Sequence, residues 1–463
     1  MTQGKIGLLP LYLKLYDDVS QESRPRIEEF VRTIASAFES RGVGVVPAPV
    51  CRIEPEFEAA VKGFEDSGVD AIVTLHLAYS PSLESSAALS RTRLPILVLD
   101  TTPTSSYGPT QDPAELMFNH GIHGVQDMCN LLLRNAKGFA VEAGHWERSD
   151  VIDRVVRRIP AARAASVMGR GRVGLLGESF RGMGDFAITP ERLAATVGGL
   201  VRRFDTTTLP ALLASVNPEE VAAEMAEDVG LFRAEGVSAE AHRRSVLLGL
   251  ALRRWMLAEG LSAFTFNFLD MDRKAGYPTA PFLEASKAMA RGIGYAGEGD
   301  VLTALFVAAV TAIHPESSFT EMFCPDWDTG AVYLSHMGEM NWRLCDGKAT
   351  LREMDYKYSD TDNPTFLTGR FKAGEIVLAN LAPTGQSTYR LILAPAVMLG
   401  VEGEDRMQRS VRGWFKPRLP LPDFLAEYSR RGGTHHLALA YTKSVSELRE
   451  FAALMGWETA EIG

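Results

Sequence analysis

Cysteine is scarce in this sequence and never occurs as a closely spaced pair. The chain of 463 residues has 4 cysteines, and they are Cys51, Cys129, Cys324 and Cys345. Isolated cysteines fit neither a disulfide framework nor a thiolate zinc site, and they are typical of a reducing compartment. We therefore expect a cytoplasmic protein.

Long apolar runs are also missing. The most apolar windows, such as Val301–Ile313, are shorter than the roughly 20 residues that a membrane-spanning helix needs. The first residues, MTQGKIGLLPLY, lack the basic segment and long apolar stretch of a signal peptide. This pattern predicts a protein without a membrane partner.

Positive charge is not in excess. Lys and Arg number 48 against 58 Asp and Glu, so the formal net charge is −10. An acidic surface without a basic patch repels phosphate backbones, which excludes a nucleic-acid partner. With 46% hydrophobic and 23% charged residues, the composition is that of a globular protein. A chain of this length predicts about three domains.

Residues 1–168 predict a first, Rossmann-like α/β domain. Short apolar runs alternate here with amphipathic helical patterns, of which 24–41 is the clearest. The predicted strands are Lys5–Leu9, Val43–Val46, Ala71–Leu77, Pro95–Leu99 and Gly138–Val141. Strands that alternate with helices indicate a parallel sheet covered on both faces.

Residues 169–314 repeat this texture and predict a second Rossmann-like α/β domain, with a strand at Arg172–Leu176 and helices at Pro218–Glu235, Ala239–Glu259 and Asp300–Ile313. Residues 315–463 differ, because short alternating runs are separated by Gly, Asp and Pro. These runs include Ala331–His336, Asn341–Cys345, Arg370–Leu378, Ser387–Leu393 and His435–Tyr441. The third domain is therefore expected to be β-rich, either a barrel or a sandwich.

Polar residues that could carry chemistry cluster between residues 292 and 340. The segments GIGYAGEGD, SSFTEMF and AVYLSHMGEM place Glu298 in a loop before a helix, Glu321 in a loop after it and His336 on a strand. A later segment, GGTHHLALAY, supplies His435 and His436. Adjacent residues of a strand point to opposite faces, so at most one of these two histidines is expected to be a ligand.

Two carboxylates and two imidazoles suit Mn²⁺ or another divalent ion in octahedral geometry. Four protein ligands leave two positions, enough for two vicinal oxygens of a substrate. Each residue also has an ordinary structural interpretation: Glu298 as a solvated charge near a helix start, Glu321 as a surface acid and His336 as a hydrogen-bonded strand residue. Spacing alone leaves both interpretations open.

Eight short segments, in order, resemble the L-arabinose isomerase family and, more broadly, the arabinose and fucose isomerase group. GYAGEGDVLTAL resembles the family segment G-x-G-A-E-G-D-W-K-T-A, and SSFTEMF resembles S-F-x-E-D-Y. LSHMGE and GTHH resemble G-A-H-M-L-E and G-A-H-H. AFTFNFLDM, HLAYSPS, FNHGIHG and AGHW resemble further family segments upstream. The resemblance covers about residues 76 to 436.

The resemblance implies a metal site and an acid/base pair. The implied metal ligands are Glu298, Glu321, His336 and His436, with His435 beside them. Glu298 and Glu321 would also transfer protons, and His123 is a candidate for opening the sugar ring. The implied cofactor is Mn²⁺, although other divalent ions are possible.

Further residues are implied to contact the sugar. Tyr79 and His123 match positions that line the sugar site from a neighbouring subunit, and His120 lies beside them. Phe268, Met337 and Phe180 would form an apolar wall, and His435 would also contact substrate. The resemblance implies a homo-oligomer, a trimer or hexamer, with shared active sites.

Departures from the family indicate a substrate other than L-arabinose. His120 stands where the family has Gln, and Leu269 stands where it has Glu. We therefore expect a metal-dependent aldose–ketose isomerase that works through an enediol or a hydride shift.

Two other functions remain open. One is a metal-dependent decarboxylase or epimerase of a sugar acid or oxidised sugar, which would need a cation such as Arg172, Arg181 or Lys357 at the site. The other is a non-catalytic sugar-binding protein.

Overall fold

The structure is a computed structural model that describes residues 4–19 and 21–463. The chain forms two compact units: unit 1 comprises Met1–Gly169 and Glu447–Gly456, and unit 2 comprises Arg170–Ser446 and Trp457–Gly463. The division into three domains, with boundaries after residues 168 and 314, stays a prediction.

Unit 1 is built on a parallel sheet of five strands in the order β2-β1-β3-β4-β5. Its strands are β1 (Gly4–Leu11), β2 (Val43–Pro47), β3 (Ala71–His76), β4 (Ile96–Asp100) and β5 (Phe139–Ala143). All six residues of β3 are buried, as expected for a central strand covered on both faces.

Most helices of unit 1 have buried residues, and the two shortest have none. The helices are α1 (Lys14–Val19), α2 (Arg24–Glu39), α3 (Glu54–Asp66), α4 (Ser82–Arg91), α5 (Leu116–Asn119), α6 (Ile122–Arg134) and α7 (Val151–Arg170). In α2 the buried side chains are those that the helical period predicts: Ile27, Phe30, Val31, Ile34 and Phe38.

Unit 2 begins with a second parallel sheet, of four strands in the order β10-β9-β6-β7. These strands are β6 (Arg172–Leu176), β7 (Leu200–Arg203), β9 (Ala263–Phe266) and β10 (Gly294–Gly297). The helices are α8 (Pro190–Thr196), α9 (Leu209–Ser215), α10 (Pro218–Leu231), α11 (Ala239–Glu259), α12 (Phe282–Ala290) and α13 (Val301–Ile313), and the short strand β8 (Arg233–Ala234) lies between α10 and α11.

Helix α13 is apolar on every side because it is enclosed. It contacts β9 and β10 of the parallel sheet and also β11 and β18, which belong to the next part of the unit. Its residues 301–310 are buried. In the two described ranges, no helix is both long and apolar enough to span a bilayer.

The rest of unit 2 is dominated by β-strands. They are β11 (Ser317–Asp326), β12 (Ala331–Ser335), β13 (Thr350–Glu353), β14 (Thr365–Arg370), β15 (Gly374–Pro383), β16 (Tyr389–Met398), β17 (Val411–Pro417), β18 (His436–Ala440) and β19 (Glu458–Glu461), with helices α14 (Leu421–Arg430) and α15 (Ser446–Met455). Helix α15 lies between β18 and β19 in the sequence, but all of its residues after Ser446 belong to unit 1.

Six of these strands close into an antiparallel barrel. The order β16-β15-β18-β11-β12-β17 is completed by a pairing of β17 with β16. A closed ring removes exposed strand edges and encloses an apolar core. Side chains of that core include Leu334, Phe371, Leu378, Phe415 and Leu439.

The predicted fold class is confirmed: two Rossmann-like α/β sheets precede a β-rich region, and of the two expected forms the structure has the barrel. The prediction of a strand at Asn341–Cys345 is wrong. Residues 342–344 form a 3₁₀ helix. Asn341 caps this helix, because its side-chain oxygen accepts a hydrogen bond from the backbone of Arg343 at 3.2 Å.

Candidate metal centre

The pairing of β11 brings three of the candidate ligands together. On one side β11 pairs with β12, with Glu321 opposite Ser335, so that His336 follows directly. On the other side it pairs with β18, with Glu321 opposite His436. Glu298 comes from the loop between β10 and α13, and α13 contacts both β11 and β18.

The expectation that Glu321 lies in a loop is wrong. Residues 317–326 form a strand, because their backbone groups pair with both neighbouring strands of the barrel. Only residues 317–320 of this strand are buried, so the sequence SSFTEMFCPD carries little apolar signal. The sequence pattern could not show this pairing, because both partners are distant along the chain.

His435 and His436 both lie near Glu298, and the strand alternation considered for them does not apply. Strand β18 begins at His436, so His435 precedes the alternating part of the backbone. The Nε2 atoms of His436 and His435 lie 3.5 and 3.9 Å from the same oxygen, Oε2 of Glu298.

The polar atoms form two overlapping groups. In each group, the candidate ligand atoms lie within 4.8 Å of one another: Glu298, His435 and His436 in the first, Glu321, His336 and His436 in the second. The Nε2 of His336 is 4.0 Å from Oε2 of Glu321. His436 belongs to both groups and therefore connects the two carboxylates.

Each of the three imidazoles is held by a carboxylate on the side away from the cluster. The Nδ1 of His336 lies 2.7 Å from Glu339, that of His436 lies 3.0 Å from Asp300, and that of His435 lies 2.6 Å from Asp185. When the Nδ1–H of a neutral imidazole donates a hydrogen bond to a carboxylate, Nε2 carries the lone pair that can bind a metal ion.

Two of these outer carboxylates are themselves fixed. Asp300 caps α13 by accepting a hydrogen bond from the backbone of Thr303 at 2.8 Å. Glu339 accepts hydrogen bonds from the Tyr295 hydroxyl at 2.7 Å and from the backbone of Gly338 at 2.8 Å. Both carboxylates are almost completely buried. Their geometry leaves the imidazole rings little freedom to rotate.

Sequence reasoning missed Asp300 and Glu339 as supports of the site. Asp300 directly precedes an apolar helix, which is the usual place of a capping residue. Glu339 follows His336 by three residues in the segment SHMGE. Neither position reveals by itself which ring the carboxylate holds.

Aromatic rings enclose the imidazoles. Phe186 stacks on His436 with ring centres 4.9 Å apart and planes inclined by 11°. The edge of Phe319 meets His336 and His436 at 4.8 and 5.0 Å. Phe319 precedes Glu321 by two residues on β11, so the strand period places both on the same face. These rings make the inner side of the cluster apolar.

The backbone around Glu298 is unusual. Glu298 has a φ of 64°, a left-handed conformation that is rare for residues other than glycine. The next residue, Gly299, also has a positive φ, and a Cβ there would lie 2.6 Å from the carbonyl oxygen of Glu178. Backbone strain of this kind persists where the surrounding structure imposes it, often at functional sites.

The two carboxylates have opposite pKa shifts. Burial alone would raise the pKa of Glu298, but the neighbouring imidazoles of His435 and His436 lower it to about 2. Burial raises the pKa of Glu321, and the more distant imidazoles offset this only in part. Glu298 is therefore ionised at neutral pH, whereas Glu321 is the stronger base.

The histidines respond to the same charges. Burial lowers the pKa of His435, but Asp185 and Glu298 together raise it to about 10. For His436, the effect of Asp300 and Glu298 also exceeds that of burial and raises the pKa. The negative potential that produces these shifts also favours a cation at the cluster.

These residues fit a divalent metal ion. The Nε2 of His436 is buried and has no hydrogen-bond partner among the residues that the structure describes. An uncompensated buried nitrogen costs free energy, and a bound cation would satisfy it. A donor set of carboxylate oxygens and imidazole nitrogens, without thiolates, suits a hard or borderline ion.

Part of the predicted apolar wall lies beside Glu298. The backbone N–H of Phe180 donates to the carbonyl of Glu298 at 2.8 Å. The ring of Phe268 lies 5.8 Å from that of Phe180. Met337 is half-buried and directly follows His336 in the chain.

In unit 1, three of the predicted sugar-contacting residues lie together. The rings of Tyr79 and His123 are 6.5 Å apart, and those of His120 and His123 are 5.8 Å apart. His120 also lies 3.0 Å from the Tyr16 hydroxyl, which sequence reasoning did not identify. Their roles stay predictions.

Replacing Gly297 with alanine is expected to reduce metal binding. A Cβ at this position would lie 2.5 Å from Cε1 of His336, so the ring must leave its present position. Loss of ligand positioning typically lowers metal affinity about 10- to 100-fold, which titration with Mn²⁺ would measure. Gly230→Ala is the control, since a Cβ there meets nothing within 4 Å. Equal affinities of the two variants would show that His336 does not hold the metal ion.

Two family models match consecutive parts of the chain. The model of the L-arabinose isomerase central domain matches residues 192–315, and that of the L-arabinose isomerase C-terminal domain matches residues 316–458. Together they cover more than half of the sequence and include all candidate metal ligands.

Individual relatives match over almost the whole length. The L-arabinose isomerase of Shouchella clausii is 26% identical over 98% of this chain and 92% of its own length. That of Geobacillus thermodenitrificans is 24% identical over 96% and 91%. A solved solute-binding protein from Actinobacillus succinogenes also matches, at 13% identity, 67% of this chain and 91% of its own, but its TM-score of 0.18 is too low to support any conclusion.

The family models and the relatives agree with each other and with the segments that surround Glu298, Glu321, His336 and His436. The identities near 25% show considerable divergence within the family. The chain is thus a divergent member of the L-arabinose isomerase family and an aldose–ketose isomerase, an intramolecular oxidoreductase.

Proposed function

We propose that the protein is a Mn²⁺-dependent isomerase whose substrate is an aldose other than L-arabinose. The observation that carries the proposal is the cluster of two carboxylates, Glu298 and Glu321, with the imidazoles of three histidines, in two groups that share His436. A cytoplasmic location agrees with the isolated cysteines.

The metal ligands in this proposal are Glu298, Glu321, His336 and His436. A bound divalent ion would polarise two vicinal oxygens of the sugar and stabilise negative charge on them. The unpartnered Nε2 of His436 and the carboxylate behind each ring support this assignment.

The two carboxylates would move the protons. Isomerisation shifts a hydrogen between adjacent carbons while their oxygens exchange carbonyl and hydroxyl character. One carboxylate would take the proton from the carbon next to the carbonyl, and the other would relay a proton between the two oxygens. Transfer through a cis-enediol and a hydride shift would both use these side chains.

The residues of unit 1 complete the proposal. His123 would assist ring opening, and Tyr79 and His120 would contact the sugar, from a neighbouring subunit of a trimer or hexamer. Phe268, Met337 and His435 would contact it from unit 2. The imidazole of His120, which lies 3.0 Å from the Tyr16 hydroxyl, differs in shape from the amide of the family, and this difference supports a changed sugar preference.

Two of the three cations considered for the alternative reaction on a sugar acid are engaged elsewhere. That reaction needs a cation that faces the cluster, but Arg172 donates to the carbonyl of Glu259 at 2.8 Å. Lys357 pairs with Asp355 at 2.8 Å on the surface. A non-catalytic sugar-binding role would not explain the strained backbone that holds Glu298.

An activity assay with a panel of aldoses and sugar acids is expected to identify the substrate. The purified protein with Mn²⁺ should convert at least one pentose, hexose or deoxyhexose to its ketose more efficiently than L-arabinose. Ketose formation and CO₂ release are measured in parallel. Release of CO₂ without ketose would overturn the isomerase proposal, and preference for L-arabinose would overturn the altered specificity.

The variants Glu298→Gln and Glu321→Gln are expected to lose turnover by about 10²–10⁴-fold, the usual contribution of a proton-transferring group. The ketose is assayed at saturating Mn²⁺, so that weaker metal binding does not mimic the loss. Glu316→Gln is the control, since Glu316 is an exposed acid that pairs with Lys372. Turnover within about tenfold of the unchanged protein in both variants would remove these residues from the mechanism.

Substitution of the histidines separates the ligands from their neighbour. His336→Ala and His436→Ala are expected to lose bound manganese, whereas His435→Ala should retain most of it, because the proposal assigns His435 to the substrate. Metal content after gel filtration is the measurement, and His145→Ala in unit 1 is the control. Full metal content in His436→Ala would refute the assignment, and loss in His435→Ala would make that residue a ligand.

A further inference from the structure

A cleft separate from the candidate metal centre opens at the carboxyl edge of the parallel sheet in unit 2. In the strand order β10-β9-β6-β7, the chain passes from β6 to β7 on one side and then to β9 on the other. The strand order therefore reverses between β6 and β9. Crevices at such reversal points, beyond the carboxyl ends of the strands, are the usual ligand sites of open α/β sheets.

The cleft has a volume of about 460 Å³, which lies within the range of small-molecule sites. Its walls come from the segments that follow β6, β7 and β9, and they include Glu178, Arg203, Phe204, Asp270, Asp272 and Tyr277. None of these residues belongs to the metal centre.

Tyr277 presents a buried phenol to this cleft without a partner. The side chain is 2% exposed, and its hydroxyl has no hydrogen bond to any described residue. Burial, followed by the charges of Asp270 and Asp272, raises the pKa of Tyr277, so the phenol keeps its proton. It is therefore an unused hydrogen-bond donor, which is costly inside a protein.

Carboxylate acceptors lie on the same wall. One oxygen of Asp270 accepts the backbone N–H of Glu178 at 2.8 Å, and one oxygen of Asp272 accepts that of Ala275 at 2.7 Å. Each carboxylate has a second oxygen and further lone pairs. A ligand hydroxyl can accept from the phenol of Tyr277 and donate to such a carboxylate, so it matches both requirements.

The charges of the cleft disfavour an anionic ligand. Arg203 pairs with Glu178 at 2.5 Å, so its charge is compensated. The remaining positive charge, that of the exposed Lys274, is outnumbered by the two negative charges of Asp270 and Asp272. The acids of the cleft are also absent from the groups of described residues that lie close enough to hold a metal ion.

We propose that this cleft binds a small uncharged polyhydroxylated molecule, such as a pentitol or a free sugar, at a site separate from the metal centre. Phe204 supplies an aromatic surface for the carbon skeleton. Gly177 admits the close approach of Asp270, because a Cβ at Gly177 would lie 2.6 Å from the Asp270 carboxylate.

A ligand in the cleft would also affect the loop that carries Glu298, because backbone contacts connect that loop to the cleft. Gly177 and Glu178 line the cleft, and the segment 177–180 ends at Phe180, whose N–H donates to the carbonyl of Glu298 at 2.8 Å. Gly299 packs against Glu178 and Ser179 of the same segment. A ligand that orders this segment would therefore also steady the loop that carries Glu298.

Binding of xylitol, D-ribose and myo-inositol to the full-length protein with Mn²⁺ tests the proposal. Calorimetry should show binding of at least one probe, with a Kd that Tyr277→Phe raises about tenfold and Glu321→Gln raises less than twofold. Tyr277→Phe removes an unpartnered hydroxyl and keeps the ring, so its Tm without probe should equal or exceed that of the unchanged protein. The bound probe should also slow amide hydrogen exchange in residues 177–180.

Tyr356→Phe is the matched control, because Tyr356 is a buried tyrosine of the same unit whose hydroxyl already donates to the carbonyl of Phe268 at 2.6 Å. This variant should bind the probe as the unchanged protein does. Loss of binding in Glu321→Gln with retention in Tyr277→Phe would place the probe at the metal centre and overturn the proposal. Absence of binding for all three probes would overturn it as well, since the cleft would then hold only water. None of these outcomes depends on isomerase activity.

Discussion

The pairing of β11 with two barrel neighbours is the constraint on which the candidate metal centre depends. Through this pairing, Glu321 lies opposite Ser335 on one side and opposite His436 on the other. Backbone hydrogen bonds in a closed barrel allow no slip of register without moving every side chain to the other face. The sheet therefore places Glu321 beside the residue that precedes His336, and Glu339 holds the ring of His336.

Buried carboxylates support the candidate metal ligands. Buried ionised groups are costly unless they are paired, and here each imidazole has its own carboxylate on the far side. Asp300 also begins α13, and Glu339 is held by Tyr295, so these acids tie the cluster to the most apolar helix and to the core. In this way the fold holds several negative charges close together, in an arrangement that is suited to a cation.

The candidate metal centre and the proposed ligand cleft of unit 2 both use the carboxyl edge of the same parallel sheet. Glu298 follows β10 at one end of the strand order, and the cleft lies beyond β6 and β9 near the middle. Backbone groups at the ends of parallel strands are free of sheet pairing, so loops there can be reshaped without loss of the core. The hydrogen bond from Phe180 to Glu298 connects the two loops.

The amino-acid sequence by itself determined the fold class, since apolar periods show alternating strands and helices and a later β-rich region. It also determined which carboxylates and imidazoles could act, through short segments that resemble an isomerase family. Tertiary structure alone decided that Glu321 lies on a strand, that His435 and His436 both face Glu298, and that the Tyr277 phenol has no partner among the described residues. Periodicity reports only local burial, whereas these features arise from pairing and packing between segments that are far apart in the chain.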